Sequence, residues 1–249
     1  MSADLVLGER RDGFAVVTLN RPEKRNAITI ALADRFRAVL ADLEDVPVIV
    51  LTGAGDRSFS AGMDLNERAE PGTWRKTVGA ERGTFWLEAV EVMRRHPAMF
   101  IAAVNGFAVG GGLTLVNNSE LAIAADTAQF GMPELGFGAF PALAGPSTAR
   151  RILPKHMAQL MFTAKRVDAE TALRWGIVNE VVPAATLMER ATELAAGIAA
   201  RDAVAVAFCK KALREMELMP WSEALDYGTL VSNTVKNIKA ARHEGASAS

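Results

Sequence analysis

Continuous apolar runs mark out the interior of this chain. Val48–Thr52, Phe100–Val104, Leu121–Ala124 and Ile177–Val181 carry almost no polar alternation, which predicts strands covered on both faces, as in a parallel sheet. Phe14 to Asn20, rich in Val, Leu and Thr, predicts a further strand that Arg21-Pro22 ends. Between these runs the period lengthens. Leu32, Phe36, Val39, Leu40 and Leu43 fall on one helical face with Thr29 placed to cap it, predicting a helix from about Ile30 to Glu44. Gly79 to Arg95 carries Phe85, Val90, Val92 and Met93 and predicts a helix halted before Pro97. Asn66 to Val78 holds Pro71, Gly72 and Trp74 in a polar setting and predicts a flexible loop. After Pro183, Thr186–Ala200 and Asp202–Glu217 predict two helices, and Ser222 is placed to cap a last one through Lys239. Strands alternating with helices give an α/β architecture.

Composition narrows the function classes. At 249 residues and 50% hydrophobic, the chain can bury one substantial core with a smaller appendage. Its 28 basic and 29 acidic residues leave a net charge of −1, so no overall field favours nucleic acid. The one cysteine, Cys209, excludes an internal disulfide framework, fits a reducing compartment, and is expected as a small buried residue on a C-terminal helix. His96, His156 and His243 lack ligand spacing, so no metal site is expected. No Walker loop, dinucleotide fingerprint, signal segment or bilayer-length run is present. A cytoplasmic enzyme without a nucleic-acid or membrane partner is the resulting expectation.

The chemistry concentrates in two turns. From Ala102 to Thr114 a short apolar strand enters a turn, and Gly110-Gly111-Gly112 then open an apolar helix. Glycines let backbone approach a ligand closely, and unpaired N–H groups cluster where a helix begins. Such a place binds a phosphate, stabilises an oxyanion, or simply packs a tight turn. A second segment, Ser58 to Leu65, also follows an apolar strand. Two donor turns on neighbouring strands can supply one N–H each to a single carbonyl oxygen. An isolated Pro-Glu pair more often reads as a surface loop acid, while Glu134 stands among Phe130, Met132, Pro133, Leu135, Phe137 and Phe140, which predicts an apolar wall. Burial of that kind brings a carboxyl group's proton affinity nearer working pH.

These segments together resemble the crotonase, or enoyl-CoA hydratase/isomerase, superfamily. Asn20 to Ala27 matches its N-terminal signature, Val50–Gly55 followed by Ser60–Leu65 its first oxyanion segment, and Ala102–Gly112 its second. Ala128 to Glu134 matches the segment carrying a catalytic glutamate, and Trp175 to Val182 the late strand. The resemblance implies a crotonase fold of repeated ββα units over residues 1–185, followed by a C-terminal helical oligomerisation region at residues 186–249. It implies an acyl-CoA thioester substrate, with coenzyme A as the carrier and no permanently bound cofactor. The backbone N–H groups of Met63 and Gly111 would hold the thioester oxygen, and Glu134 would act as acid and base. Ala27, Ala61 and Leu65 would shape the adenine and pantetheine channel, with Lys24 and Arg25 near the phosphates. A homotrimer or a dimer of trimers is expected by the same resemblance.

Thr114 departs from the pattern. Hydratases of the family usually place a second glutamate there, and a threonine hydroxyl is a poor base near neutral pH. Isomerisation needs only one carboxylate and is therefore easier to support than two-acid hydration. Hydroxycinnamoyl-CoA hydratase-lyases pair the same glutamate with a small hydroxyl residue at this position, but their phenol-binding tyrosines match Arg68 and Thr229 here. A non-catalytic acyl-CoA-binding protein is the remaining reading. Asn118, four residues on, could pair with Thr114 to orient water or pack near a subunit contact. Glu67, Glu81 and Glu88 are candidates to replace the missing acid, and Trp74, Phe85 and Trp86 to line the acyl pocket. Pro141–Pro146 stands where relatives often carry a glycine-rich segment, implying a more restricted backbone path.

Overall fold

From Val48 to Gly131 successive strands are dealt alternately to two sheets. The computed structural model describes residues 4–65 and 84–247. Strands β1 (Val6–Arg10), β2 (Ala15–Leu19), β3 (Val48–Gly53), β5 (Met99–Val104), β7 (Leu121–Ala125) and β10 (Glu180–Val182) form one sheet in the order β1-β2-β3-β5-β7-β10. Strands β4 (Ser58–Ser60), β6 (Phe107–Val109), β8 (Gln129–Gly131) and β9 (Val167–Asp168) form the other, in the order β4-β6-β8-β9. Pairing is parallel except for β1 on β2 and β8 on β9. Among the described residues the helices are α1 (Ile30–Ala41), α2 (Thr84–Arg95), α3 (Gly111–Asn118), α4 (Ala144–Ala149), α5 (Pro154–Thr163), α6 (Ala169–Trp175), α7 (Leu187–Ala199), α8 (Ala203–Glu215) and α9 (Trp221–Ser247). The pairs β3-β4, β5-β6 and β7-β8 each place one strand in each sheet ahead of α2, α3 and α4.

Burial explains why the large sheet was legible. All six residues of β3 are buried, with Val50 level with Val16 of β2 and Ile101 of β5. One face packs on α1, α2 and α3 through Phe36, Trp86, Phe100 and Leu113. The other carries Val16, Val50, Ile101 and Ile123 and is covered by Leu187, Ala191 and Ala195 of α7.

Several boundaries differ from expectation for identifiable reasons. α1 begins at Ile30, where Thr29 Oγ1 accepts from Leu32 N at 3.1 Å, but stops at Ala41, short of Glu44. β10 begins only at Glu180, because Gly176 (φ 83) caps α6 and Asn179 is held by Ala122 instead. α9 starts at Trp221, one residue ahead of the expected cap at Ser222, and runs past Lys239 to Ser247. β1, exposed at all but its first residue, carried no apolar pattern. The expected loop at residues 66–78, including Trp74, Glu67 and Arg68, lies outside the described residues, as does Glu81.

Cys209 is corrected: it is exposed, and its neighbour Lys210 takes the buried position on α8. Lys210 Nζ donates to the carbonyls of Met93, His96 and Ala98 at 3.0, 2.8 and 2.6 Å. A lysine is accommodated inside here because the open carbonyls at and just beyond the end of α2 accept from its Nζ.

Candidate active site

A strained N-terminal loop brings the two turns together. Arg25 and Asn26 take positive φ values of 54 and 53, a conformation asparagine tolerates better than most residues. Asn26 is fully buried; its Nδ2 donates to Ala54 O and Ser58 O at 3.0 and 2.7 Å, and its Oδ1 accepts from Arg21 N at 2.9 Å. The loop is then stitched to the segment after β4. Ala61 N donates to Arg25 O at 2.9 Å, Ile28 N to Gly62 O at 2.8 Å, and Asp64 N to Ile28 O at 2.9 Å. Arg21 Nη1 closes the arrangement on Ala27 O at 2.8 Å and Asp64 Oδ2 at 3.1 Å.

This stitching juxtaposes the segments carrying Ala27 and Ala61, both half-buried, with Leu65 exposed just beyond and Lys24 and Arg25 exposed at the lip. It also orients Met63. In an extended segment successive amides face opposite sides, so Gly62 C=O and Asp64 N–H meet Ile28 while the Met63 N–H faces away. Among the described residues that N–H has no acceptor.

The glycine run completes the contact. Gly62 has φ 80, and a Cβ there would stand 2.8 Å from Val109 O and 3.2 Å from Gly111 N. Only a bare backbone lets the Met63 turn lie against the start of α3. Gly111 is the first residue of α3, and its N–H is likewise without an acceptor among the described residues. Every residue of α3 is buried, so this helix start points inward from a fixed base.

Glu134 reaches the same place through strand register. β6 and β8 run parallel with Val109 level with Gly131, so the residue just past β6 and those just past β8 emerge side by side. Gly110 has φ 53, and a Cβ there would lie 3.0 Å from Glu134 Oε1. Glu134 opens a 3₁₀ turn, Glu134–Phe137, and is half-buried. The expected apolar wall is built on one side only. Phe130 and Met132 are buried, whereas Leu135, Phe137 and Phe140 are exposed on this chain.

The remaining candidates fall differently. Thr114 is buried beside the site, but its hydroxyl donates to Gly110 O at 3.2 Å. The Thr114–Asn118 side-chain pair does not form: Asn118 Nδ2 donates to the Thr114 carbonyl at 2.7 Å and Oδ1 accepts from Arg94 at 2.8 Å. Glu88 is no substitute acid, since it lies on the surface bonded to Arg37 Nη1 at 2.7 Å. Thr229 is exposed on α9. Phe85 is half-buried and Trp86 fully buried, its indole against Gly111. Sequence reasoning missed the positioning work of Arg21, Asn26 and Asp64; an asparagine where the chain must turn left-handed was the available signal. No group of three or more His, Cys, Asp or Glu able to hold a metal occurs among the described residues. No helix among them is long and apolar enough to cross a membrane.

Comparison with known proteins gives a consistent picture. A family profile described as enoyl-CoA hydratase/isomerase matches residues 9–245. The chain is 38% identical over 220 residues to a short-chain-enoyl-CoA hydratase of Clostridium acetobutylicum, covering 86% of this chain and 82% of that one. It is 35% identical over 238 residues to carnitinyl-CoA dehydratase of Escherichia coli K12, covering 94% and 88%. A crystal structure of an enoyl-CoA hydratase from Bacillus anthracis superposes with a TM-score of 0.85 at 27% identity, covering 96% of each chain.

Proposed function

Since the chain belongs to the enoyl-CoA hydratase/isomerase family, we propose that it processes acyl-CoA thioesters through an enolate held by Met63 and Gly111 N–H, with Glu134 as the single acid and base. The observation that supports this reading is the packing of Gly62, next to Met63, against the Gly111 amide, with Glu134 Oε1 against neighbouring Gly110. When a proton leaves Cα, or an oxygen adds at Cβ, an electron pair moves onto the thioester oxygen. Two amides fixed in advance stabilise that charge without reorganising, and each is worth roughly 3–4 kcal/mol in comparable sites. Glu134, alongside Gly110, carries the proton between substrate carbons or between water and carbon.

Coenzyme A enters as the carrier of the substrate. Ala27 and Ala61 keep its channel narrow and unobstructed, Leu65 borders it, and Lys24 and Arg25 meet its phosphates at the solvent edge. The relatives' names favour reversible addition of water to a 2-enoyl thioester. The Thr114 hydroxyl, bonded to Gly110 O, favours proton transfer by one carboxylate, as isomerisation requires. Exposed apolar side chains on and before α9 support assembly into a homotrimer or a pair of trimers, and the single cysteine fits a reducing, cytoplasmic setting.

A panel of 2-enoyl-, 3-enoyl- and 4-hydroxycinnamoyl-CoA separates hydration, isomerisation and lyase chemistry. Glu134→Gln is expected to lower kcat on the preferred substrate by about 10²–10⁴-fold, while thioester affinity changes little. Unchanged turnover would remove Glu134 from the mechanism. Binding without turnover of any substrate would leave a non-catalytic acyl-CoA-binding protein.

A further inference from the structure

The fold leaves one deeply buried donor unused beside Gly111. Trp86, in the first turn of α2, is 1% exposed, and its indole Nε1–H has no hydrogen-bond partner among the described residues. An indole nitrogen donates and cannot accept, so only an oxygen or another acceptor satisfies it. Buried tryptophans ordinarily find that partner within the protein, because an unmet donor is costly. The ring is fixed in place, tilted at 46° against Phe36 with centroids 6.2 Å apart. A Cβ on Gly111 would stand 3.0 Å from Nε1 and 3.6 Å from Cδ1. The indole edge therefore rests against Gly111 on the side where a side chain would project, off the direction of the Gly111 N–H.

We propose that the Trp86 indole N–H is a specificity-determining donor for an oxygen borne on the acyl chain, selecting 3-hydroxyacyl thioesters over unsubstituted acyl thioesters. This rests on the reading of Met63 and Gly111 as the thioester-oxygen donors and deepens it. With the thioester oxygen assigned to those two amides, a third donor displaced to the side of Gly111 meets atoms further along the chain. An oxygen on Cβ is the nearest acceptor a 3-hydroxyacyl group offers there, and a saturated acyl chain offers none.

The test uses the intact chain carrying Glu134→Gln, so that bound ligands are not turned over. Dissociation constants are measured for butyryl-CoA and 3-hydroxybutyryl-CoA with and without Trp86→Phe, which keeps an aromatic ring and removes the donor. The substitution is expected to weaken 3-hydroxybutyryl-CoA about tenfold and to leave butyryl-CoA within about twofold. In parallel, the Trp86 indole ¹H–¹⁵N resonance should move downfield with 3-hydroxybutyryl-CoA and not with butyryl-CoA. Trp74→Phe, Trp175→Phe and Trp221→Phe assign that resonance by elimination, so it decides the matter even where Trp86→Phe does not fold. Equal weakening of both ligands, no weakening of either, or an unmoved indole proton overturns the proposal alone. Failure of both thioesters to bind the Trp86-containing protein overturns the thioester reading as well.

Discussion

Gly110 and Thr114 share one carbonyl yet make opposite demands on the site. Gly110 sits at φ 53 and ψ −118, where a side chain is strained, and its Cβ position lies 3.0 Å from Glu134 Oε1. Gly110→Ala therefore presses a methyl group on the carboxylate and resists the backbone bend together. The expected outcome is a kcat lower by about 100-fold or more, with a stability loss of at least about 1 kcal/mol. Thr114 instead spends its hydroxyl on Gly110 O at 3.2 Å. Thr114→Val removes one buried hydrogen bond, so stability should fall by about 1 kcal/mol while kcat changes less than about tenfold. Steady-state kinetics on the preferred thioester and denaturant titrations check both variants. A Thr114→Val enzyme as impaired as Glu134→Gln would mean that the hydroxyl works on the substrate.

At the scale of elements, the C-terminal helices are tied to the sheet by a buried lysine. Lys210 of α8 reaches three carbonyls at and just beyond the end of α2, and its Nζ lies 4.6 Å from the centre of the Phe100 ring. Burial pulls its pKa down from 10.5 to about 7, against the attraction of Glu120. Burial also lowers the pKa of His96, whose Nε2 meets Leu40 O at 2.9 Å. Both shifts give stability the same slope. Between about 7 and 10.5 the unfolded lysine keeps a proton that the folded one has released, so stability rises with pH. Below 6.5 the unfolded histidine takes up a proton before the folded one, so stability falls with acid. Melting temperatures should climb from pH 6 to pH 9, and Lys210→Met should flatten the alkaline part of that climb; an unaltered slope would exclude Lys210 as its source. This docking was illegible in the sequence because apolarity ranks Cys209 inside and Lys210 outside. Only the carbonyls ending a distant helix reverse that order. β3, β5 and β7 were legible because burial on both faces leaves an unbroken apolar run. β4, β6 and β8 have three residues each, too few to show a period, and so the small sheet was visible only through the turns that follow it.

Across the whole molecule, the surface of one chain is less finished than its interior. Leu218, Trp221 and Leu225 are 77%, 78% and 52% exposed at the turn into α9, and Phe140 and Phe162 are 70% and 73% exposed. Trp221 and Leu225 stand one helical turn apart on α9. Full burial of side chains this large is worth about 1.5–3 kcal/mol each, and exposed patches of this kind mark contact surfaces. Phe137 and Phe140 extend the argument to the site, because they follow Glu134 and lie open on the isolated chain. A neighbouring copy that covered them would supply the side of the apolar wall that one chain leaves unbuilt. The motifs single out Glu134 in the chain but are silent on its surroundings, since atoms supplied by a second copy would leave no trace in local sequence. A homo-oligomer would therefore carry a consequence for chemistry as well as mass. The 26.6 kDa chain should sediment at about three or six times its own mass at micromolar concentration. Trp221→Asp combined with Leu225→Asp should shift it toward the single-chain mass. A wild-type protein that sediments as one chain, with full turnover, would show that Glu134 works without the second copy and would overturn the assembly.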